Sequence, residues 1–206
     1  MDHTWQLIAT ERTRLAAALS ELSAPQWAAP SLCAGWDNAD VLAHIVSTAE
    51  ITAATFITGM VRNGFNVNRM VAGDVERVGA AGVPALLDRL RAGAGSRAKP
   101  PGPVGAMLME TIVHGEDIAY PTGLKIHHTE QGMLGAAEFA RTAQPLVGCR
   151  KRIQGLRLLA TDHVWSTGTG PEVRGPLIAL LLAMSGRQAA IDELTGDGVP
   201  VLRRRP

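Results

Sequence analysis

A carboxylate and an imidazole stand four residues apart in the segment Glu110 to Asp117, which otherwise has the apolar character of a core helix. At 3.6 residues per turn, Glu110 and His114 project from the same face of a helix, one turn apart. A second histidine, His44, lies upstream in the apolar segment 41–46. Two imidazoles and one carboxylate suit a divalent metal that keeps positions open for water or substrate. The sequence therefore predicts a catalytic metal site made by His44, Glu110 and His114.

Three residues close to these ligands have a functional and a structural interpretation. Asp117 follows His114 by three residues, so its carboxylate is either an acceptor for a ligand imidazole or an ordinary solvated or helix-pairing group. Glu116 points to another side of the same helix and is predicted to be a surface charge. Cys33 has no base or cation beside it in the sequence, which favours a small apolar filler over a nucleophile.

Trp36 and Arg187 are candidate substrate-binding residues. Trp36 precedes the predicted His44 helix, where it either walls a pocket or plugs the core. Arg187 ends another predicted helix, where its guanidinium either binds a substrate carboxylate or complements the helix dipole. His127 and His128 are adjacent in sequence, and adjacent residues of a helix face different directions, so we predict solvent exposure for both.

Composition limits the classes of function. The chain has 206 residues, 46% of them hydrophobic, which is enough for one domain with a buried core and a small appendage. A net charge of +1 does not suggest a nucleic-acid surface. No apolar stretch reaches the roughly 20 residues that cross a bilayer, and no signal-peptide pattern opens the chain. Two distant cysteines fit a reduced compartment, so we expect a cytoplasmic protein with no membrane or nucleic-acid partner.

Apolar periodicity predicts helices over most of the first 150 residues. One helix is expected to begin after an N-cap at Asp37, to carry His44 and to run to about Met60. Another is expected over about 104–120. Residues 62–82 are rich in glycine and asparagine and are interpreted as a connection.

The pattern changes after Gly148. Strand signals follow at 156–161 and 164–165, and an apolar helix is expected over 176–187. Val199–Leu202 is a candidate edge strand. We therefore predict a mainly α protein. Residues 1–150 would form a metal-binding helical bundle, and residues 151–206 a small α/β subdomain packed on it.

Two segments resemble the signatures of the mycothiol-dependent maleylpyruvate isomerase family, an actinobacterial branch of the DinB/YfiT-like metalloproteins. The first runs from Leu32 to Ile45 and contains His44, and the second runs from Glu110 to Ile118. Residues 160–187 are similar to the small C-terminal region of many members. The resemblance thus covers nearly the whole chain.

The resemblance implies a DinB-like four-helix bundle that holds a divalent metal, usually zinc, through His44, Glu110 and His114. It also implies mycothiol, the low-molecular-weight thiol of actinobacteria, as cosubstrate. The family includes isomerases, mycothiol S-transferases and enzymes of specialised metabolism, so kinship alone does not fix the reaction.

We therefore expect an enzyme in which a divalent metal activates a thiol, because a cation stabilises the thiolate of a group whose free pKa is about 8.5. The thiolate would attack an electrophilic small molecule, giving S-transfer or cis–trans isomerisation. The alternatives are a metal-dependent hydrolase or pathway-specific enzyme that uses metal-bound water, and a non-catalytic ligand-binding bundle. The electrophile, the metal and the choice between monomer and homodimer stay open.

Overall fold

A computed structural model describes residues 2–144 and 148–205. Its contacts divide the chain into two compact units, Met1–His128 and Thr129–Pro206. Within the described ranges, no helix combines the length and the apolar character needed to span a membrane. The cytoplasmic location stays a prediction.

Seven helices are described in the first unit. They are α1 (Asp2–Leu19), α2 (Ala24–Trp27), α3 (Asn38–Glu50), α4 (Ala53–Arg62), α5 (Val67–Gly79), α6 (Val83–Ala92) and α7 (Val104–Thr122). The central helix α3 packs against α5, α6 and α7, while α1 packs against α6 and α7. The predicted mainly α bundle is confirmed.

Helix α3 begins where the sequence predicts it. Asp37 is the N-cap, and its side chain accepts a hydrogen bond from the Asp40 N–H at 2.8 Å. The Asp40 side chain in turn accepts a hydrogen bond from the Asp37 N–H at 3.3 Å. This reciprocal pair satisfies two backbone donors that a helix start leaves open. Val41, Leu42 and other apolar residues of α3 are fully buried, so the cap and the core together fix the helix that carries His44.

Two predictions in this unit were wrong. The helix expected to run to Met60 stops at Glu50, and α4 starts after a separate N-cap at Thr52, whose hydroxyl accepts the Thr55 N–H at 3.2 Å. Residues 62–82, interpreted as a connection, contain α5, which buries Met70 and two valines. In both places, local hydrogen bonding and tertiary packing outweigh composition.

Helices α1 and α7 approach each other closely at Gly115. A methyl group added at Gly115 would lie 2.9 Å from Leu15 Cδ1, which is closer than two carbon atoms pack. Glycine therefore lets α1 settle against α7 immediately beside His114. This contact belongs to the packing that fixes the position of α7.

The second unit contains α8 (Glu130–Ala140), α9 (Cys149–Ile153), α10 (Leu177–Met184), a 3-10 helix (Gln188–Glu193), α11 (Val199–Arg203) and strands β1 (Arg157–Ala160), β2 (Ser166–Gly168) and β3 (Glu172–Gly175). The strand order is β2-β1-β3, with β2 antiparallel and β3 parallel to β1. In the register, Leu158 of β1 pairs with Thr167 and with Val173. The predicted small α/β character of the C-terminal region is confirmed.

Two features of this unit differ from expectation. Val199–Leu202 is helical and not an edge strand, because Pro200 occupies the first turn of a helix, where a missing N–H costs nothing. Helix α8 packs on α10 within the second unit, so this unit starts earlier than residue 151. The assignment of functional domains to 1–150 and 151–206 stays a prediction.

Candidate metal centre

Helices α3 and α7 bring two histidines together. The ring centroids of His44 and His114 are 4.9 Å apart, with the rings perpendicular. The centroid of the Trp36 ring lies 5.2 Å from that of the His44 ring. The two imidazoles that the sequence proposed as ligands are therefore neighbours, although 70 positions separate them along the chain.

His44 is held as a neutral imidazole with an unused nitrogen. Its Nδ1 is buried and has no hydrogen-bond partner among the described residues. Burial, the larger cause, and the nearby His114 together lower the pKa of His44 to about 3, while Asp117 acts in the opposite direction. A neutral imidazole with an unpartnered nitrogen is the form that binds a metal ion.

His114 is oriented by Asp117, as the three-residue spacing allows. His114 Nδ1 lies 2.9 Å from Asp117 Oδ2, and the Asp117 carboxylate is completely buried. A carboxylate accepts, so Nδ1 of His114 carries the proton and Nε2 keeps its lone pair. Metal-binding histidines usually have such a partner on the nitrogen that does not bind the metal.

Cys33 packs against the core, as its interpretation as an apolar filler predicts, but its thiol also contacts His114 and Asp117, which that interpretation did not include. Its Sγ donates to Asp117 Oδ2 at 3.0 Å and lies 3.7 Å from His114 Nδ1. One donor atom each from Cys33, His114 and Asp117 fall within 4.8 Å of one another. No local pattern predicts this contact, because Asp117 is 84 residues from Cys33 in the sequence.

Glu110 lies one helical turn before His114 and faces three polar groups. Burial raises the pKa of Glu110, whereas His114, a side-chain hydrogen bond with Thr48 and the Arg12 guanidinium lower it. Arg12 is itself buried, with its Nη1 donating to the Ser96 carbonyl at 3.0 Å. A cation and a hydroxyl thus hold this carboxylate beside the histidine pair, and nothing in the sequence indicated either group.

The donor set fits a divalent metal. It offers a carboxylate and two imidazoles, one of which has its other nitrogen already hydrogen-bonded, the chemistry that zinc and similar ions take. Among the described residues, the three-residue group that meets the 4.8 Å distance is Cys33, His114 and Asp117. The set of His44, Glu110 and His114 does not meet this distance, and its role as the ligand set stays a prediction.

The two predicted substrate-binding residues lie in different units. Trp36 belongs to the first unit and contacts His44. Arg187 belongs to the second unit, where its Nη1 donates to the Ser185 carbonyl at 2.8 Å, at the end of α10. This contact fits the helix-dipole interpretation, and substrate binding by either residue stays a prediction.

The predicted exposure of His128 and the predicted surface position of Glu116 were both wrong. The His128 side chain is 7% exposed and lies between two carboxylates, with Nδ1 2.7 Å from Glu11 Oε2 and Nε2 3.0 Å from Glu116 Oε1. Burial alone would lower the pKa of His128, but the two hydrogen bonds outweigh it and raise the pKa to about 9. His127 is exposed, as predicted.

Comparison with known proteins agrees with the first of the two sequence signatures, Leu32 to Ile45. Residues 8–103 match the family model described as the mycothiol maleylpyruvate isomerase N-terminal domain. The crystal structure of the mycothiol-dependent maleylpyruvate isomerase is similar in fold, with 16% identity, a TM-score of 0.62 and coverage of 95% of this chain and 92% of that chain. A histidine-to-alanine mutant of that isomerase gives 14% identity, a TM-score of 0.59 and the same coverage.

A search of curated proteins finds no match. The predicted resemblance to this family is nevertheless confirmed over residues 8–103, which the family model matches. The family model and both solved structures carry the name of an enzyme, which supports the prediction of an enzyme.

Proposed function

We propose that this chain, whose residues 8–103 belong to the N-terminal domain family of mycothiol maleylpyruvate isomerase, is a metal-dependent enzyme that uses mycothiol as cosubstrate. His44, Glu110 and His114 would hold the divalent cation, with zinc as the first candidate. The observation that carries the proposal is the adjacent pair of histidines, one of them with an unpartnered buried nitrogen.

The charge of the site supports a thiol as cosubstrate. Two neutral imidazoles and one carboxylate leave a bound divalent cation with a net positive charge. Such a cation would stabilise a thiolate at neutral pH, where a free thiol of pKa about 8.5 is mostly protonated.

The residues of the chain would fix the donors before any ligand arrives. Asp117 keeps the proton on Nδ1 of His114, which leaves Nε2 as the donor atom. A side-chain hydrogen bond with Thr48 and the charge of Arg12 stabilise the ionised form of the Glu110 carboxylate. Trp36 lies beside the His44 imidazole, with the ring centroids 5.2 Å apart.

The electrophile would be a small conjugated acid with a cis double bond, and maleylpyruvate, the compound in the name of the similar enzymes, is the first to test. Addition of the thiolate to this bond, rotation about the resulting single bond and elimination of the same thiolate would give the trans isomer. Addition followed by protonation of the resulting carbanion, without elimination, would give an S-conjugate. The same site supports both outcomes, so the product must be identified.

The test is an incubation of zinc-loaded protein with mycothiol and a panel of unsaturated acids and halogenated aromatics, followed by mass spectrometry. We expect product only when mycothiol is present, one zinc ion per chain by elemental analysis, and loss of both in His114→Ala. His127→Ala, at an exposed histidine, is the matched control and should keep both. Product formed equally well without thiol would favour a hydrolase that uses metal-bound water. A chain that retains no divalent ion would favour a ligand-binding bundle.

A further inference from the structure

The segment Ser31–Trp36 forms a tight loop that presents Cys33 in one orientation. The Ser31 hydroxyl accepts the Cys33 N–H at 3.1 Å and donates to the Trp36 carbonyl at 2.9 Å. The Trp36 N–H donates to the Cys33 carbonyl at 3.1 Å. Gly35 has a φ of +82°, a conformation that side-chain-bearing residues rarely adopt, and so it permits the turn. These bonds define where the Cys33 thiol points.

This loop is fastened to α7 at Asp117 through both backbone and side chain. The Leu32 N–H donates to the Asp117 carbonyl at 3.0 Å, and the Cys33 thiol donates to Asp117 Oδ2 at 3.0 Å. At its other end the loop places Trp36 against His44. One short segment therefore contacts the surroundings of both histidines.

The carboxylate oxygen that accepts from Cys33 is the same one that accepts from His114. Asp117 Oδ2 lies 3.0 Å from Cys33 Sγ and 2.9 Å from His114 Nδ1. The carboxylate is completely buried, and a buried charge depends on the donors that surround it. A second donor on this oxygen restricts the rotation of the carboxylate that His114 contacts.

We propose that Cys33 is a positioning residue: through Asp117 Oδ2, its thiol holds the His114 imidazole with Nδ1 protonated and Nε2 directed to the metal. This inference rests on the proposed function for the role of Nε2. The alternative is that Cys33 is itself a metal ligand. The geometry argues against it, because the sulfur lies on the Nδ1 side of the ring and Nδ1 cannot both donate to Asp117 and bind a cation.

The first test uses metal-free protein and compares Cys33→Ala with Cys33→Ser. Serine keeps a donor at the position of the thiol, whereas alanine removes it. Long-range proton–nitrogen NMR reports which nitrogen of His114 carries the proton. We expect the Nδ1–H tautomer in the wild type and in Cys33→Ser, and a mixture of tautomers in Cys33→Ala. An unchanged His114 spectrum in folded Cys33→Ala would overturn the proposal.

The second test measures zinc affinity by competition with a chelator. Cys33→Ala should bind zinc about tenfold more weakly, the low end for loss of a group that orients a ligand. Cys33→Ser should stay near the wild type. Equal affinity in all three proteins, or equal losses in the two variants, would contradict a positioning role.

Cobalt-substituted protein separates the two possible roles of the sulfur. A positioning thiol gives no sulfur-to-cobalt charge-transfer band in the near ultraviolet. A band that is present in the wild type and absent from Cys33→Ser would make Cys33 a ligand and reject the proposal. If the wild type bound no metal at all, the proposed function would fail, while the NMR comparison would still decide whether Cys33 orients His114.

Discussion

The first unit contains two sets of polar contacts around histidines, and the two sets have opposite properties. His44 has a buried nitrogen without a partner and a pKa lowered to about 3, whereas His128 has a carboxylate on each nitrogen and a pKa raised to about 9. We call the pair of His44 and His114 the ligand pair, and His128 with Glu11 and Glu116 the salt triad.

The difference shows that burial does not decide what a histidine does. Desolvation acts in the same direction on His44 and His128, since it disfavours the charged ring in both. What differs is the number of carboxylates that contact the ring. His128 contacts two carboxylates, one from α1 and one from α7, so its ring is an imidazolium that joins these helices. In the described part of the chain, Nδ1 of the His44 ring contacts no carboxylate, so the ring remains neutral and keeps a nitrogen lone pair available to a cation.

The largest effect is expected from breaking the salt triad. His128→Ala leaves Glu11 and Glu116 buried without their shared cation, which should lower the free energy of unfolding by about 3–5 kcal/mol. Urea denaturation followed by tryptophan fluorescence is a suitable measurement, because three of the 4 tryptophans lie in the first unit. His127→Ala is the neighbouring control and should change stability little. Coincident curves for all three proteins would mean that the triad contributes nothing.

The charge of His128 makes its contribution depend on pH. Its pKa is raised from 6.5 to about 9 on folding. The stability that the charged His128 adds is therefore fully present below pH 6.5 and is lost as the pH rises through about 9. This shift in pKa corresponds to a contribution of about 3 kcal/mol to the free energy of unfolding. We expect the difference in unfolding free energy between wild type and His128→Gln to shrink by this amount between about pH 6 and pH 10. A difference independent of pH would show that His128 is neutral in the fold.

Breaking the ligand pair should affect metal binding and leave the fold intact. His44→Ala removes one donor and should weaken zinc binding by about 100-fold or more. The metal-free variant should unfold close to the wild type, because the lost imidazole has a nitrogen without a partner. Isothermal titration with zinc measures the first effect and urea denaturation the second, with His127→Ala as control. Zinc affinity equal to that of the wild type would exclude His44 from the site.

A smaller change sharpens the comparison by removing one carboxylate of the salt triad. Glu116→Gln keeps the shape of the side chain and takes away its charge, so the pKa of His128 should fall by about 1 unit, or about 1.4 kcal/mol. An NMR titration of the His128 ring protons measures the shift. If the pKa stayed where it is in the wild type, Glu11 alone would account for the charge of His128.

Local signals explain the parts of the fold that the sequence predicted. The capping pair of Asp37 and Asp40 marks the start of α3, and the apolar run around Glu110 and His114 marks α7. Each of these features depends on residues within one or two turns of each other. The close approach of Glu110 and His114 follows from helical geometry alone.

The missed features depend on residues that are distant in sequence or on very short segments. His128 is 117 residues from Glu11, and Cys33 is 84 residues from Asp117, so no local pattern indicates either contact. Helix α5 is stabilised by its packing on α3. Its glycine and asparagine residues are typical of a connection, so the sequence does not indicate this helix. The five residues of α11 are too few to show a helical period.

The interruption at Ile51 and Thr52 separates α3 from α4, and each of these two helices begins at its own N-cap. Helix α4 has no buried residues and exposes Ile57, Val61 and, just beyond it, Phe65. Helix α4 reaches α3 mainly through α5, on which it packs. Substitutions on the exposed face of α4 are therefore expected to leave in place the two imidazoles that α3 and α7 carry.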